Sequence, residues 1–183
     1  MLNVVQNVIR EQYIPADQNH MIEIDTKGRK GKMMCQIDRY KEETLLCNFD
    51  QRGNNKFLFP YFKEEHGFVS MCDYILFVED RQSLFIFLID LKDTSDSPKQ
   101  QTGIAQTFAE FIVRRITEIK GKEAFPKQIE YRRIGCKTTN ARLTTKGYSK
   151  LAYDEDGYLV IPDYHHFYTR WLMDLPRTEN KNF

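Results

Sequence analysis

The chain has 183 residues, 41% of them apolar, and its 27 lysines and arginines against 26 aspartates and glutamates leave a formal charge of +1. That length suits one domain of about 100–200 residues with a sizeable core. The charge balance excludes a histone-like polycation and an acidic disordered tail, although a local basic face fits inside a neutral total. The four cysteines, Cys35, Cys47, Cys72 and Cys136, form no Cys-x-x-Cys pair. They read as reduced residues of a cytoplasmic protein rather than zinc or redox ligands. The first fifteen residues lack a basic stretch followed by an apolar run, so no secretory signal is expected. The longest apolar run, residues 84–89, falls far short of the ~20 residues of a membrane span.

Residues 2–13 place Leu2, Val5, Val8, Ile9 and Tyr13 at helical spacing, and Pro15 ends the pattern. Residues 21–25 and 32–38 are short strands joined by a glycine-containing turn, and residues 44–49 are another strand. The strongest strand signals are residues 73–79 and 83–91, separated only by Asp80-Arg81-Gln82 and so a hairpin. Both are apolar on nearly every residue, which places them in the middle of a sheet covered on both faces. A helix follows over residues 99–120, with an apolar stripe of Ile104, Phe108, Phe111, Ile112, Ile116 and Ile119, and stops at Gly121. Residues 127–136 form a further strand. Turn signals at 154–157 and 162–163 precede a short final helix that ends near Leu175. Residues 1–175 therefore read as one domain of α/β or α+β class, a central mixed sheet flanked by helices. Residues 176–183 read as a flexible polar tail.

In the hairpin the start of one strand lies beside the end of the next. Asp73 therefore meets Asp90 and Lys92 at one end of the sheet, and Asp90 and Lys92, two residues apart, share a face. Two carboxylates at the edge of an apolar sheet repel unless something neutralises them. Mg²⁺ or Mn²⁺ does so, because such cations take one or two carboxylates and complete their shell with water and substrate phosphate oxygens. A lysine beside them suits activation of a water and stabilisation of developing phosphorane charge. The bland alternative is a surface ion pair at a strand end. Acid-x-lysine by itself is common; it also occurs at Asp25–Lys27, Glu118–Lys120 and Glu179–Lys181.

The segments Cys72-Asp73-Tyr74-Ile75-Leu76-Phe77 and Phe87-Leu88-Ile89-Asp90-Leu91-Lys92 resemble the PD-(D/E)xK phosphodiesterases, the restriction-endonuclease-like superfamily. The resemblance implies an αβββαβ core over about residues 2–136, with a C-terminal extension that matches no part of it. It implies that Asp73, Asp90 and the backbone carbonyl of Leu91 hold the metal, and that Lys92 serves the attacking water. Gln106 on the following helix corresponds to a glutamine that related nucleases turn toward the site; the alternative is an ordinary solvated side chain. The chain departs from the pattern at Cys72, where the family has proline, and Glu11 stands as a candidate for the glutamate that the family often carries on its first helix.

Residues 127–150 carry Lys127, Arg132, Arg133, Lys137, Arg142, Lys146 and Lys150 against Glu130 alone, seven cations minus one anion, or +6. In a neutral chain this segregation suggests a face that neutralises phosphates, with Arg132, Arg133, Lys137, Arg142 and Lys146 as nucleic-acid contacts. A solvated edge strand is the alternative. The expected function is a metal-dependent nuclease that hydrolyses DNA phosphodiesters, with RNA as a substrate left open, in restriction, repair or phage defence, acting alone or as a homodimer. Its rival is a catalytically inactive nuclease-fold module that binds nucleic acid or a protein.

Overall fold

A computed structural model describes residues 1–24, 32–50, 61, 70–92, 99–137, 151–161 and 165–177, except for the side chains of 23, 24, 32, 33, 92 and 137. The chain is a mixed α/β fold with two sheets flanked by helices. The helices are α1 (Leu2–Gln6), α2 (Lys99–Lys120) and α3 (Thr169–Asp174). The strands are β1 (His20–Ile24), β2 (Lys32–Asp38), β3 (Glu43–Cys47), β4 (Tyr74–Asp80), β5 (Ser83–Lys92), β6 (Gln128–Lys137), β7 (Tyr158–Ile161) and β8 (His166–Tyr168).

The larger sheet has the order β3-β4-β5-β6-β7, with β3, β4 and β5 antiparallel and β5, β6 and β7 parallel. A two-residue turn joins β4 to β5, with Arg81 at φ 54, the left-handed backbone that tight hairpins favour. The parallel pair β5–β6 needs a crossover, and α2 supplies it. Gly121 ends that helix at φ 96, where a side chain would be strained.

The apolar-on-both-faces pattern of the hairpin has a direct structural cause. Leu45, Ile75, Phe77, Leu84, Ile86 and Leu88 pack with α1 and with Ala105, Ala109, Ile112 and Ile116 of α2. On the opposite face Leu76, Phe85, Phe87, Ile89, Leu91, Ile134 and Cys136 pack with Met21, Cys35, Ile37 and Phe167 of the second sheet and Leu172 of α3.

Several expectations need correction. The sheet is not alone: residues 20–24, 32–38 and 166–168 form a separate sheet, in which β2 pairs with β1 antiparallel and with β8 parallel. The first helix stops at Gln6, and residues 11–13 form a separate 3₁₀ turn. The buried stripe of α2 includes Ile112 and Ile116 of the expected set but is shifted from the rest of it. Thr102, Ala105 and Ala109 are buried, whereas Phe111 is 61% and Ile119 64% exposed. Small side chains let the helix lie close on the sheet, and that proximity outranks side-chain size in choosing the face. Pro176 and Arg177 are tied down by Tyr153, whose N–H donates to the Pro176 carbonyl at 2.9 Å. Among the described residues no helix is long and apolar enough to cross a membrane.

Candidate active site

The face alternation of the strands places the acidic residues. On β5 the even positions Leu84, Ile86 and Leu88 face α2, and Asp90 continues that series. On β4 the odd positions Ile75 and Phe77 face α2, and Asp73, just before the strand, continues theirs. The β4–β5 register pairs Tyr74 with Ile89, and one further step puts Asp73 across from Asp90. β4 ends there, so the next ladder bond is lost. The Asp73 carboxylate takes its place, accepting the Leu91 backbone N–H at 2.5 Å through Oδ2. Asp90 is 1% exposed, the most deeply buried acid among the described residues.

The two carboxylates act on their surroundings. Burial, reinforced by the charges of Asp73 and Asp90, pushes the Cys72 thiol well above the ordinary cysteine range. Cys136, beside Leu91 in the β5–β6 register, is pushed up in the same way, first by burial and then by charges that include Asp90 and Asp73. Both thiols are therefore neutral packing groups at physiological pH, not nucleophiles. Asp50 also contributes to the shift at Cys72. It lies three residues beyond β3, at the same end of the sheet, and sequence reasoning passed over it because it sits outside any acid-x-lysine pattern. Among the described residues no group of three or more His, Cys, Asp or Glu side chains is placed to hold a metal ion.

β6 lies beside β5, with Asp90 opposite Gly135, Leu91 opposite Cys136 and Lys92 opposite Lys137. Lys92 and Lys137 thus occupy neighbouring positions with the parity of Asp90. Arg133 shares that parity and reaches α2, donating to the Lys99 carbonyl at 2.6 Å and, at 3.4 Å, to the Thr102 hydroxyl. Arg132 faces the other way. It is 6% exposed, donates to Glu130 at 2.6 Å and lies 4.6 Å over the Tyr153 ring. The structure therefore separates two neighbours that the basic run had grouped as phosphate contacts, and strand alternation was the signal that could have separated them. Gln106 donates to Glu110 at 2.8 Å, one turn along the same helix. Glu11 is exposed in the 3₁₀ turn. Arg142 and Lys146 lie outside the described residues.

Sequence spacing also gave no sign of Lys99, which forms ion pairs with Asp156 at 2.7 Å and Asp154 at 2.9 Å. Those two carboxylates, Asp156 foremost, raise the Lys99 ammonium above its ordinary range, so it stays charged. The chain matches no family model, no curated protein and no solved structure.

Proposed function

We propose that the chain is a metal-dependent nuclease of the restriction-endonuclease-like type that hydrolyses DNA phosphodiesters. The observation that carries this reading is the convergence of Asp73 and Asp90 on one face at the end of a buried hairpin, with Lys92 two residues further along the same strand. Further support comes from the larger sheet: α1, the antiparallel β3, β4 and β5, the crossover helix α2 and the parallel β6 come in the order of an αβββαβ core, with β1 and β2 of the second sheet inserted between α1 and β3.

The donors suit a hard divalent cation. Asp73, Asp90 and the Leu91 carbonyl supply oxygen ligands, and Mg²⁺ or Mn²⁺ accepts so small a protein set. A carboxylate offers about four lone-pair sites, so an N–H bond to one oxygen of Asp73 does not exhaust it. When bound, the cation would lower the pKa of a coordinated water and screen the charge of the scissile phosphate. The protein's own share is then positional. Leu91 fixes Asp73 through its N–H, burial fixes Asp90, and Lys92 orients the attacking water and stabilises the charge that develops on phosphorus oxygens. Arg133 and Lys137, two strand repeats apart on the adjacent β6, neutralise the flanking backbone.

Incubation of the protein with linear DNA, circular DNA and RNA under Mg²⁺, Mn²⁺ and Ca²⁺ tests the assignment. Cleavage of circular DNA with Mg²⁺ or Mn²⁺ supports an endonuclease. Metal-dependent cleavage that persists in both Asp90→Ala and Lys92→Ala would remove this site from consideration.

A further inference from the structure

We infer that the cleft beside the first turns of α2 seats the phosphodiester backbone of the nucleic-acid substrate, and that Asp156 covers its lysine until that backbone displaces it. The inference rests on the nuclease reading for the identity of the substrate.

The cleft has a volume of about 600 Å³ and is lined by Lys99, Gln100, Gly103, Ile104, Thr107 and Arg133. Its charged lining residues are both cations. Lys99 Nζ and the Arg133 guanidinium each lie 5.9 Å from the centre of the Tyr158 ring, which gathers them at one spot. Gly103 keeps that spot open: a Cβ there would stand 3.2 Å from Arg133 Nη2, tighter than ordinary contact. The rest of the lining is the polar Gln100 and Thr107 and the apolar Ile104.

The cleft is also near the carboxylates. Gly135 is the β6 partner of Asp90, and Arg133 lies two residues before it on the same face. Two residues along a strand and one strand across amount to roughly 8 Å. One nucleic-acid strand can therefore span Asp90 and Arg133 together.

The turn at 154–157 supplies the counter-charge. Asp154 is part of that turn, its Oδ1 accepting the Asp156 and Tyr158 N–H groups at 3.0 and 2.9 Å. Its Oδ2 also pairs with Lys99 at 2.9 Å, and the Asp156 side chain, 50% exposed, pairs with the same ammonium, itself 41% exposed, at 2.7 Å. Exposed pairs of this kind are weak and screened by salt. A polyanion that gains both Lys99 and Arg133 displaces such a carboxylate readily, whereas a neutral ligand has no means to do so.

The test is binding of a fluorescein-labelled single-stranded DNA oligonucleotide, followed by anisotropy in EDTA so that no cleavage occurs. Asp156→Asn is expected to tighten binding about two- to fivefold, the scale of one exposed ion pair. Lys99→Ala is expected to weaken binding and to reduce the slope of log K against log salt by about 0.7, one single-strand phosphate contact. Asp156→Asn should have no effect once Lys99→Ala is present. Asp156→Ser provides a second variant, and a thermal melt establishes that each protein is folded.

Three results would overturn the proposal. These are no measurable binding by the unaltered protein, no tightening in either folded Asp156 variant, or equal tightening with and without Lys99, which marks a general charge effect. Cleavage is read separately with Mg²⁺. A protein that passes the binding cycle but cuts nothing refutes the nuclease reading alone. One that cuts DNA while ignoring Asp156 refutes the cleft alone.

Discussion

Replacement of Asp90 by asparagine separates a metal-binding carboxylate from half of a structural ion pair. Asp90 is almost fully buried, and the register sets it across from Asp73. Directly opposed side chains on antiparallel strands have Cβ atoms ~5 Å apart. At an effective dielectric of about 20, two negative charges at that distance repel by roughly 3 kcal/mol. Asparagine keeps the shape and removes one charge. Part of the gain is offset by the weaker hydrogen bonding of the amide, which leaves about 1–2 kcal/mol. In a chain of this size that raises Tm by about 2–8 °C. The assay is thermal unfolding followed by circular dichroism, in EDTA and again in Mg²⁺. Asp90→Asn should be the more stable protein in EDTA, and only the unaltered protein should gain stability from Mg²⁺. A variant several degrees less stable in EDTA, with neither protein responding to Mg²⁺, would refute the reasoning. Asp90 would then be one partner of a buried pair whose disruption costs about 3–5 kcal/mol.

Other expectations follow from the same structure. Burial holds Cys47 up to about 12 and Cys72 and Cys136 well above their ordinary range of 9.0. An unfolded chain releases these thiol protons as pH passes about 9, while the folded chain keeps them. The resulting stability is complete below pH 9 and declines as pH rises toward 12, which urea melts across that range would reveal; a flat profile contradicts it. Arg132→Ala should cost about 2–4 kcal/mol in chemical denaturation, because it removes a buried guanidinium from beside Glu130 and the Tyr153 ring, yet leave nucleic-acid affinity unchanged. On α2, Ile116→Ala should destabilise by about 2–5 kcal/mol, whereas Ile119→Ala, at an exposed position, should change stability by less than about 0.5 kcal/mol. Equal effects at the two positions would contradict the observed shift of the stripe.

What could be read from the sequence was local and strongly periodic. Residues 73–91 announced a hairpin covered on both faces, and its antiparallel pairing alone set Asp73 across from Asp90. The crossover helix and β6 were legible for the same reason. Long-range pairing was not. β8 has three residues and joins β2 across more than a hundred residues of chain, so no local pattern could reveal the second sheet. Hydrophobic size also misled: Phe111 and Ile119 dominate the apolar stripe on paper, but Ala105 and Ala109 make the close contact. Charge counting failed where geometry was needed. Arg132 and Arg133 count equally in a basic run, yet one stacks under Tyr153 and the other reaches α2. Lys99 and Asp156 are 57 positions apart in the sequence, and only the fold brings them together.

The central claim is that Asp73, Asp90 and Lys92 form one metal-dependent hydrolytic site. Its most direct test is the rate at which supercoiled DNA is nicked in Mg²⁺ by the unaltered protein, Asp73→Asn and Lys92→Ala, with EDTA as the blank. A single metal-dependent site gives nicking that EDTA abolishes and that falls by about 10²–10⁴-fold in each variant, the scale of a lost catalytic group. Nicking by both folded variants at the rate of the unaltered protein would contradict it.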